Sequence, residues 1–260
     1  MKAKTLWTLA TAFFMAMSLA SCGGDDNSND PNDPGNPDNP SAGTEGLDKE
    51  SQEIIEKYAD YRLWIGHWQR MDKESDGWVF MSDGNAWKLY YDDTDGYTTW
   101  RYLPDTNTLV TTTGSWSWTI DYQEYEEWGG TTPSEHFYGY SRDWWSDPND
   151  ELLVGTWVNG ETGAKLTFTA SGRLSMEYGG NTYSGSSDIS QDVPRSWEDS
   201  YKEEAVARNI DMRGESLAAY LFVTELDGYK LTVEDCELYM DEAPSHQVFE
   251  GTYIFSAYVE

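Results

Sequence analysis

A five-residue element occurs twice in this chain and constrains its fold more than any other feature. Trp64 to Trp68 reads apolar-apolar-Gly-x-Trp, and Leu153 to Trp157 repeats that pattern. A Gly turn follows each copy, as Phe80 to Gly84 in the first and Phe168 to Gly172 in the second. The two pairs are offset by 89 and 88 positions, so a single-residue gap aligns them. The repeat predicts two similar β-units in tandem.

Short strands flanking Gly turns account for most of the remaining sequence. The chain contains 13 Trp and 18 Tyr, and such aromatic runs punctuated by Gly are typical of antiparallel β-structure. Three hairpins are predicted, pairing residues 78–81 with 86–90, 97–103 with 108–112, and 165–169 with 173–178. Another strand is expected from Tyr229 to Val233, and one within Gln247 to Ala257 is expected to close the last edge.

Two helices are predicted between these strands. Asp48 can cap a first helix, in which Glu50 to Tyr61 carries apolar residues at helical spacing. A second helix is predicted from Ser196 to Asn209, directly after a proline at position 194. Both are expected to pack on a sheet.

The Gly-x-Trp element, followed by a strand, a Gly turn and another strand, resembles the opening of lipocalins. Both halves look like the lipocalin-like domains of Bacteroidetes lipoproteins. The resemblance implies a mainly all-β fold of antiparallel lipocalin-like β-barrels or half-barrels in tandem, with a short N-terminal helix and one inserted helix. It also implies that Trp68 and Trp157 close barrel floors, a structural role.

One stretch departs from the lipocalin pattern. Gly179 to Asn209 is long and polar where meander strands should follow, so regular eight-strand closure of the second half does not follow from the resemblance. One larger barrel built from both halves, or a sandwich, is the alternative.

The start of the chain resembles a bacterial lipoprotein signal. An apolar run too short for a transmembrane helix closes on Leu19-Ala20-Ser21-Cys22. The resemblance implies cleavage before Cys22 and acylation of its thiol, and several acyl chains hold a protein stably on a membrane. Gly23 and the acidic pair Asp25-Asp26 come next, which looks like the surface-export signal of Bacteroidetes lipoproteins. The expected location is the outer membrane, facing the cell exterior, with the periplasmic face as the alternative.

Composition divides the chain into four segments. These are a signal peptide at 1–21, a disordered acidic tether at 22–46, and two lipocalin-like β-units at 47–150 and 151–260. The tether is nearly all Gly, Asp, Asn, Ser and Pro, which cannot bury enough apolar surface to offset ordering entropy. The formal net charge of −30 disfavours nucleic acid as a partner and suits neutral or cationic ones.

No motif in the sequence indicates an enzyme. The histidines are scattered without metal-ligand spacing, at His67, His136 and His246. A phosphate loop and a nucleophile elbow are both missing. Cys236, the only Cys besides Cys22, is interpreted as a small core residue. We therefore predict no catalytic residue, no metal and no cofactor. Calcium is a weak alternative suggested by acidic alternation at residues 92–96 and 147–151.

Aromatic residues support the ligand hypothesis. Trp116 and Trp118 share one strand face and are expected in a core. Other aromatic residues stand in polar, loop-like surroundings, where exposed apolar groups often mark interaction sites. The ligand-binding candidates are Trp128, Tyr138, Tyr140, Trp144 and Trp145.

The predicted function is a non-enzymatic binding module. Its ligand would be a small apolar molecule in a barrel mouth or a glycan on the aromatic candidates. The alternative is a structural or accessory subunit of an outer-membrane protein complex, and an enzyme has the least support.

Overall fold

The computed structural model describes most of the chain beyond the predicted tether. The described residues are 44, 46–70, 76–90, 93–106, 108–113, 116–121, 136–137, 140–192, 205–215, 217–240 and 244–259. The signal peptide, Cys22 and nearly all of the tether lie outside them. The predictions made for those segments stay predictions.

One α-helix, α1, spans Lys49–Tyr58 and confirms the short N-terminal helix. The side chain of Asp48 caps it by accepting a hydrogen bond from the backbone N–H of Ser51 at 2.9 Å. The helix ends earlier than predicted, because the chain tightens into a 3₁₀ turn at Arg62–Trp64. No helix among the described residues is long and apolar enough to cross a membrane.

Eight antiparallel strands of the first half form an open sheet. They are β1 (Gly66–Arg70), β2 (Gly77–Phe80), β3 (Asn85–Tyr90), β4 (Asp93–Leu103), β5 (Thr108–Thr113), β6 (Trp116–Asp121), β7 (His136–Phe137) and β8 (Tyr140–Asp143). Their order is β6-β5-β4-β3-β2-β1-β8-β7, so β6 and β7 are the edges of the described sheet. The predicted hairpins β2–β3 and β4–β5 are confirmed by their registers.

Eight further antiparallel strands form a closed barrel. They are β9 (Gly155–Val158), β10 (Lys165–Thr169), β11 (Arg173–Tyr178), β12 (Asn181–Asp192), β13 (Ala207–Arg213), β14 (Ala218–Leu226), β15 (Lys230–Tyr239) and β16 (Gly251–Phe255). The last strand closes the barrel by pairing with β9, where Phe255 lies opposite Trp157. The predicted hairpin β10–β11 is confirmed. The alternative prediction of one larger barrel built from both halves is wrong.

The prediction that the second half departs from regular eight-strand closure is also wrong. The polar stretch that suggested it contains β12, which pairs with β11 on one side and β13 on the other. Tyr183 and Gly185 of β12 are buried, whereas the residues between and beside them are exposed. The sequence of β12 is polar because one face of the strand meets solvent. Backbone hydrogen bonds to its two neighbours hold the strand in place whatever its composition.

The inserted helix predicted from Ser196 to Asn209 is wrong at its C-terminal end. Residues 193–204 lie outside the described residues, and the chain is already a strand from Ala207, at the start of β13. Ala207 pairs with Asp192 and Asn209 with Ser190.

The two Gly-x-Trp elements have the same local structure. A 3₁₀ turn precedes each, and the glycines that begin β1 and β9, Gly66 and Gly155, have φ angles of +142° and +128°. The indole N–H groups of Trp68 and Trp157 each donate to the carbonyl oxygen four residues earlier, at 2.9 and 2.8 Å. Both rings are fully buried. Trp157 lies in the closed barrel, whereas Trp68 belongs to the open sheet. The role of both residues at barrel floors stays a prediction.

A buried arginine of the open sheet joins it to the barrel. Arg142 of β8 stacks 4.3 Å from the Trp68 ring. Its Nη1 donates to the carbonyl oxygen of Ile65 at 2.9 Å and to the carboxylate of Asp227, in the β14–β15 turn, at 2.8 Å. Both charged side chains are almost completely buried.

A second arginine makes the reciprocal contact. Arg62 precedes the open sheet, and its guanidinium lies 5.4 Å from the Trp157 ring and 3.8 Å from that of Phe255. Its Nε donates to the carbonyl oxygen of Gly228 at 3.0 Å, and its Nη2 to that of Leu152 at 2.5 Å. One hydrophobic core runs through both sheets. The predicted domain boundary after residue 150 falls in the connection between them and stays a prediction.

We expect Gly228→Ala to destabilise the protein. A Cβ there would lie 1.6 Å from the carbonyl oxygen of Arg62, so the β14–β15 turn would have to move away from the open sheet. Overpacking of this kind costs about 2 kcal/mol or more. The control is Gly160→Ala, whose Cβ meets nothing within 4 Å. Thermal unfolding should show a lower melting temperature for the first variant only, and equal melting temperatures would contradict this packing.

Candidate ligand-binding site

One face of the open sheet is covered by large aromatic side chains. Because alternate residues of a strand share a face, this face carries Trp68 of β1, Trp78 and Phe80 of β2, Trp100 of β4 and Leu109 of β5. All five are buried and belong to one hydrophobic cluster. We call the surface formed by these five residues the aromatic face.

The rings of the aromatic face touch in series. Trp78 stacks on Phe80 with centroids 5.8 Å apart, and Phe80 lies 4.9 Å from Trp100. Tyr61, at the end of the helical segment, meets Trp100 edge-on at 5.7 Å. Such contacts stabilise an aromatic cluster beyond simple burial of its area.

Two tyrosines form the partly exposed rim of this cluster. Tyr61 covers Trp100, and Tyr102 of β4 lies 5.7 Å from the ring of Trp64. Burial raises the pKa of both phenols above the usual value. The rim is therefore uncharged at neutral pH.

Two threonine hydroxyls are buried on the aromatic face without a hydrogen-bond partner. Thr98 of β4 is 5% exposed and Thr111 of β5 is 0% exposed, and neither Oγ1 atom meets a partner in the described structure. The nearby indole N–H of Trp100, in contrast, donates to the carbonyl oxygen of Met81 at 2.8 Å. A buried hydroxyl without a partner costs about 1–3 kcal/mol, so these two atoms require an explanation.

The sheet register brings the two hydroxyls together. Thr111 lies directly opposite Trp100, and Thr98 precedes Trp100 by two residues on the same face. Thr98 also lies opposite the buried Ala86. Diagonal neighbours of this kind are about 7–8 Å apart between strands. One small molecule is long enough to reach both hydroxyls.

Two polar groups of the barrel interior, in contrast, already have partners. The buried Tyr253 hydroxyl donates to the carbonyl oxygen of Phe249 at 2.9 Å, and the Trp157 indole is bonded as described. Burial raises the pKa of the Cys236 thiol to about 12, which keeps it protonated and inert. Around these three lie further buried side chains of the barrel core, among them Leu166, Phe168, Leu174, Met176, Ile210, Met212, Leu221, Val223, Leu231, Val233 and Phe255.

The aromatic candidates predicted from the sequence fall at different places. Tyr140 of β8 is half-buried and packs against the same cluster as the aromatic face, opposite Arg70 of β1. Trp144 and Trp145 pack instead in a second cluster, with Val79 on the other face of the sheet. The positions of Trp128 and Tyr138 lie outside the described residues.

The exposure expected for Trp145 is wrong, since its side chain is fully buried. It packs with Val79, Met81 and Ala205, and Trp144 is partly buried against the same residues. The polar sequence around Trp144 and Trp145 does not place them in solvent. The acidic side chains there form hydrogen bonds within the protein.

These acidic residues lie in a turn that is held by side-chain hydrogen bonds. The buried Asp147 carboxylate accepts from the backbone N–H and the hydroxyl of Ser82 at 2.8 and 2.9 Å, and from the N–H of Asn149 at 2.9 Å. Burial raises the pKa of Asp147, and these bonds oppose that rise. Glu151 binds the Tyr58 hydroxyl at 2.5 Å. The oxygens at 147 and 151 that suggested calcium therefore meet protein donors.

Metal-ligating residues do not gather elsewhere in the part of the chain that the structure describes. No group of three or more His, Cys, Asp or Glu there could hold a metal ion. His67 is buried, and its Nδ1 lies 3.4 Å from the carboxylate of Asp143.

Comparisons with known proteins add little to this geometry. No protein-family model and no curated protein matches the chain. Among solved structures, it is similar to the crystal structure of Treponema pallidum Tp0751 (pallilysin), at 16% identity over 40% of this chain and 80% of that one. The TM-score is 0.30, and a similarity this low supports no statement about function.

Sequence reasoning missed both Thr98 and Thr111. Thr98-Thr99 and Thr111-Thr112 are adjacent pairs within aromatic-rich strands, and the sequence does not say which member of each pair faces inward. The alternation Thr98-x-Trp100 carries a weak signal, because it places a hydroxyl on the same face as a large aromatic residue.

We expect Thr98→Val and Thr111→Val each to stabilise the free protein. Valine matches threonine in shape and removes a buried hydroxyl that has no partner, which should add about 1 kcal/mol to the free energy of unfolding. The matched controls are Thr99→Val and Thr112→Val, whose side chains are exposed on the other face. Urea unfolding monitored by circular dichroism measures the differences. A loss of stability in both inward variants would mean that the hydroxyls are already bonded.

Proposed function

We propose that this protein is an acyl-anchored lipoprotein of the outer membrane, exposed to the cell exterior, that binds a small apolar ligand without chemical conversion. The ligand lies on the aromatic face of the open sheet. The observation that carries this proposal is the pair of buried, unpartnered hydroxyls of Thr98 and Thr111 beside Trp100. Preorganised polar atoms in an apolar site are what small-molecule sites use to orient a ligand.

We place the ligand on the open sheet and not in the barrel because of where buried polar groups lack hydrogen-bond partners. Interior groups such as the Tyr253 hydroxyl in the barrel are bonded within the protein. A ligand would have to break those bonds to enter the barrel. On the aromatic face, a ligand would instead supply bonds that Thr98 and Thr111 lack. The free-energy balance therefore favours the open sheet.

The charge and form of the site favour an apolar molecule over a glycan. The large rings of the aromatic face are nearly inaccessible to solvent, and only Tyr61 and Tyr102 are partly exposed at the rim. A sugar carries many hydroxyls, each needing a partner once it is buried. Two threonine hydroxyls match a ligand with one polar end much better than a sugar ring. Entry of a ligand requires that Tyr61 or Tyr102 swing aside.

The proposed location rests on the sequence at the start of the chain. The Leu-Ala-Ser-Cys box supports acylation at Cys22, and the acids after it support export to the surface. The acidic tether would hold the folded part away from the membrane, because its aspartates repel one another and its prolines stiffen it. With a net charge of −30, the molecule is also repelled by anionic lipid and nucleic acid.

The ligand proposal is tested by thermal shift and tryptophan fluorescence of the full-length protein. The panel contains fatty alcohols, sterols, bile-type amphiphiles and host glycans. We expect an apolar member to raise the melting temperature, because a ligand at a hundred times its Kd adds about 2.7 kcal/mol to stability. It should also change tryptophan emission. Silence across the panel contradicts a ligand site and favours an accessory role with a protein partner.

We expect Cys22→Ala to release the protein from the membrane fraction. Without the thiol there is no acyl chain, and the described residues contain no membrane-spanning helix. Fractionation of cells and labelling with an acyl-chain probe measure the change. The control is Cys236→Ala, a buried position in the barrel that should keep the label. Full membrane retention of Cys22→Ala would refute the anchor.

A further inference from the structure

We propose that the ligand of the aromatic face carries an uncharged hydrogen-bonding end, a hydroxyl or a carbonyl, and not a carboxylate or an ammonium group. This inference rests on the proposed function and deepens it by naming the ligand class. It follows from the two threonine hydroxyls and from how the charged groups around the aromatic face are already committed.

The threonine hydroxyls suit a neutral partner. A hydroxyl both donates and accepts a hydrogen bond, so Thr98 and Thr111 can each serve a ligand alcohol or carbonyl. A carboxylate in the same place would lose its hydration and gain only hydroxyl donors. Burying an ionised carboxylate without a counter-charge is far more unfavourable than burying a neutral group.

The cation stacked on Trp68 offers no free charge to an anion. Arg142 lies opposite Trp68, and its Nη1 binds both the carbonyl oxygen of Ile65 and the Asp227 carboxylate. Its Nη2 donates to the carbonyl oxygen of Leu63. The charge is balanced by a carboxylate that is itself fully buried, so a second anion would have to displace Asp227.

The other cations on this face are engaged as well. Arg70 of β1 pairs with Asp76 at 3.3 Å. Lys88 lies opposite Trp78 and is not free. The two arginines on this face therefore offer an anionic ligand no unpaired positive charge.

A cationic ligand is disfavoured for a different reason. An ammonium group in an apolar site needs an open aromatic ring face or a carboxylate. The ring of Trp100, which neighbours both threonines, is already contacted by Phe80 and by Tyr61. The buried carboxylates of Asp227 and Asp76 are paired with arginines. The buried Asp147 carboxylate accepts hydrogen bonds from Ser82 and Asn149.

Three ten-carbon probes separate these classes. They are 1-decanol, decanoate and decylammonium, used at neutral pH, where the second is an anion and the third a cation. All three probes contain ten carbons, but the alkyl chain of decanoate is one methylene shorter than the other two, which changes affinity about fourfold. Differences larger than that report the end group. Isothermal titration calorimetry is carried out on the full-length protein, on the Thr98→Val/Thr111→Val double variant, and on the Thr99→Val/Thr112→Val control.

We expect 1-decanol to bind at least tenfold more tightly than decanoate or decylammonium. The inward double variant should lose about tenfold in affinity for 1-decanol, since two neutral hydrogen bonds are removed. Its affinity for the charged probes should stay unchanged. The outward control should bind all three probes as the parent does. Each inward single variant is measured too, so the result does not depend on the double variant folding.

The outcomes separate this inference from the function on which it rests. Decanoate or decylammonium binding as tightly as 1-decanol overturns the neutral end group and leaves the binding function standing. Unchanged affinity for 1-decanol in the inward variants also overturns the inference, because the polar end then lies elsewhere. If none of the three probes binds, the neutral end group is overturned for these chains. If the ligand panel is silent as well, the proposed function itself fails.

Discussion

The buried ion pair between Arg142 and Asp227 is the contact on which the arrangement of this protein depends. It joins β8, the last strand of the open sheet in chain order, to a turn of the barrel, with both side chains almost fully out of solvent. Such a pair adds little net stability compared with apolar packing, yet removing one partner leaves an uncompensated buried charge at about 3–5 kcal/mol. The pair therefore specifies how the two sheets meet. The open sheet has two unpaired edges among the described residues and depends on the barrel for support.

The two copies of the Gly-x-Trp element therefore belong to different architectures, one to an open sheet and one to a closed barrel. Both begin with a left-handed glycine and a tryptophan bonded to the carbonyl four residues before it. The second copy closes into a barrel and fills its interior with buried apolar side chains. The first copy stays open, is held by its neighbour, and retains two unpartnered hydroxyls at Thr98 and Thr111. A closed barrel next to it allows the first copy to carry that energetic cost without losing its fold.

Local signals made most of the strands predictable. The turn at residues 82–85 and the one at 170–172 place Gly where a hairpin needs it, and both hairpins form. β12 was missed because its outward face is polar. Hydropathy reflects composition and does not report which strands pair. The environment of Trp145 was missed because burial depends on what packs from distant segments, here Ala205. The inward facing of Thr98 and Thr111 was beyond sequence reasoning, since strand phase is fixed by register across the whole sheet.

The position of Arg62 has a mechanical consequence. This residue comes just after α1, yet its guanidinium is bonded to carbonyls of Leu152 and Gly228 at the end of the barrel. Lys57 and Tyr58 of α1 likewise bind Glu151, in the turn that leads into β9. A pulling force applied to the chain ahead of α1 would therefore load the closed barrel directly, through these side chains, in parallel with the backbone path into β1. The open sheet, with its aromatic face, would be shielded from part of that load.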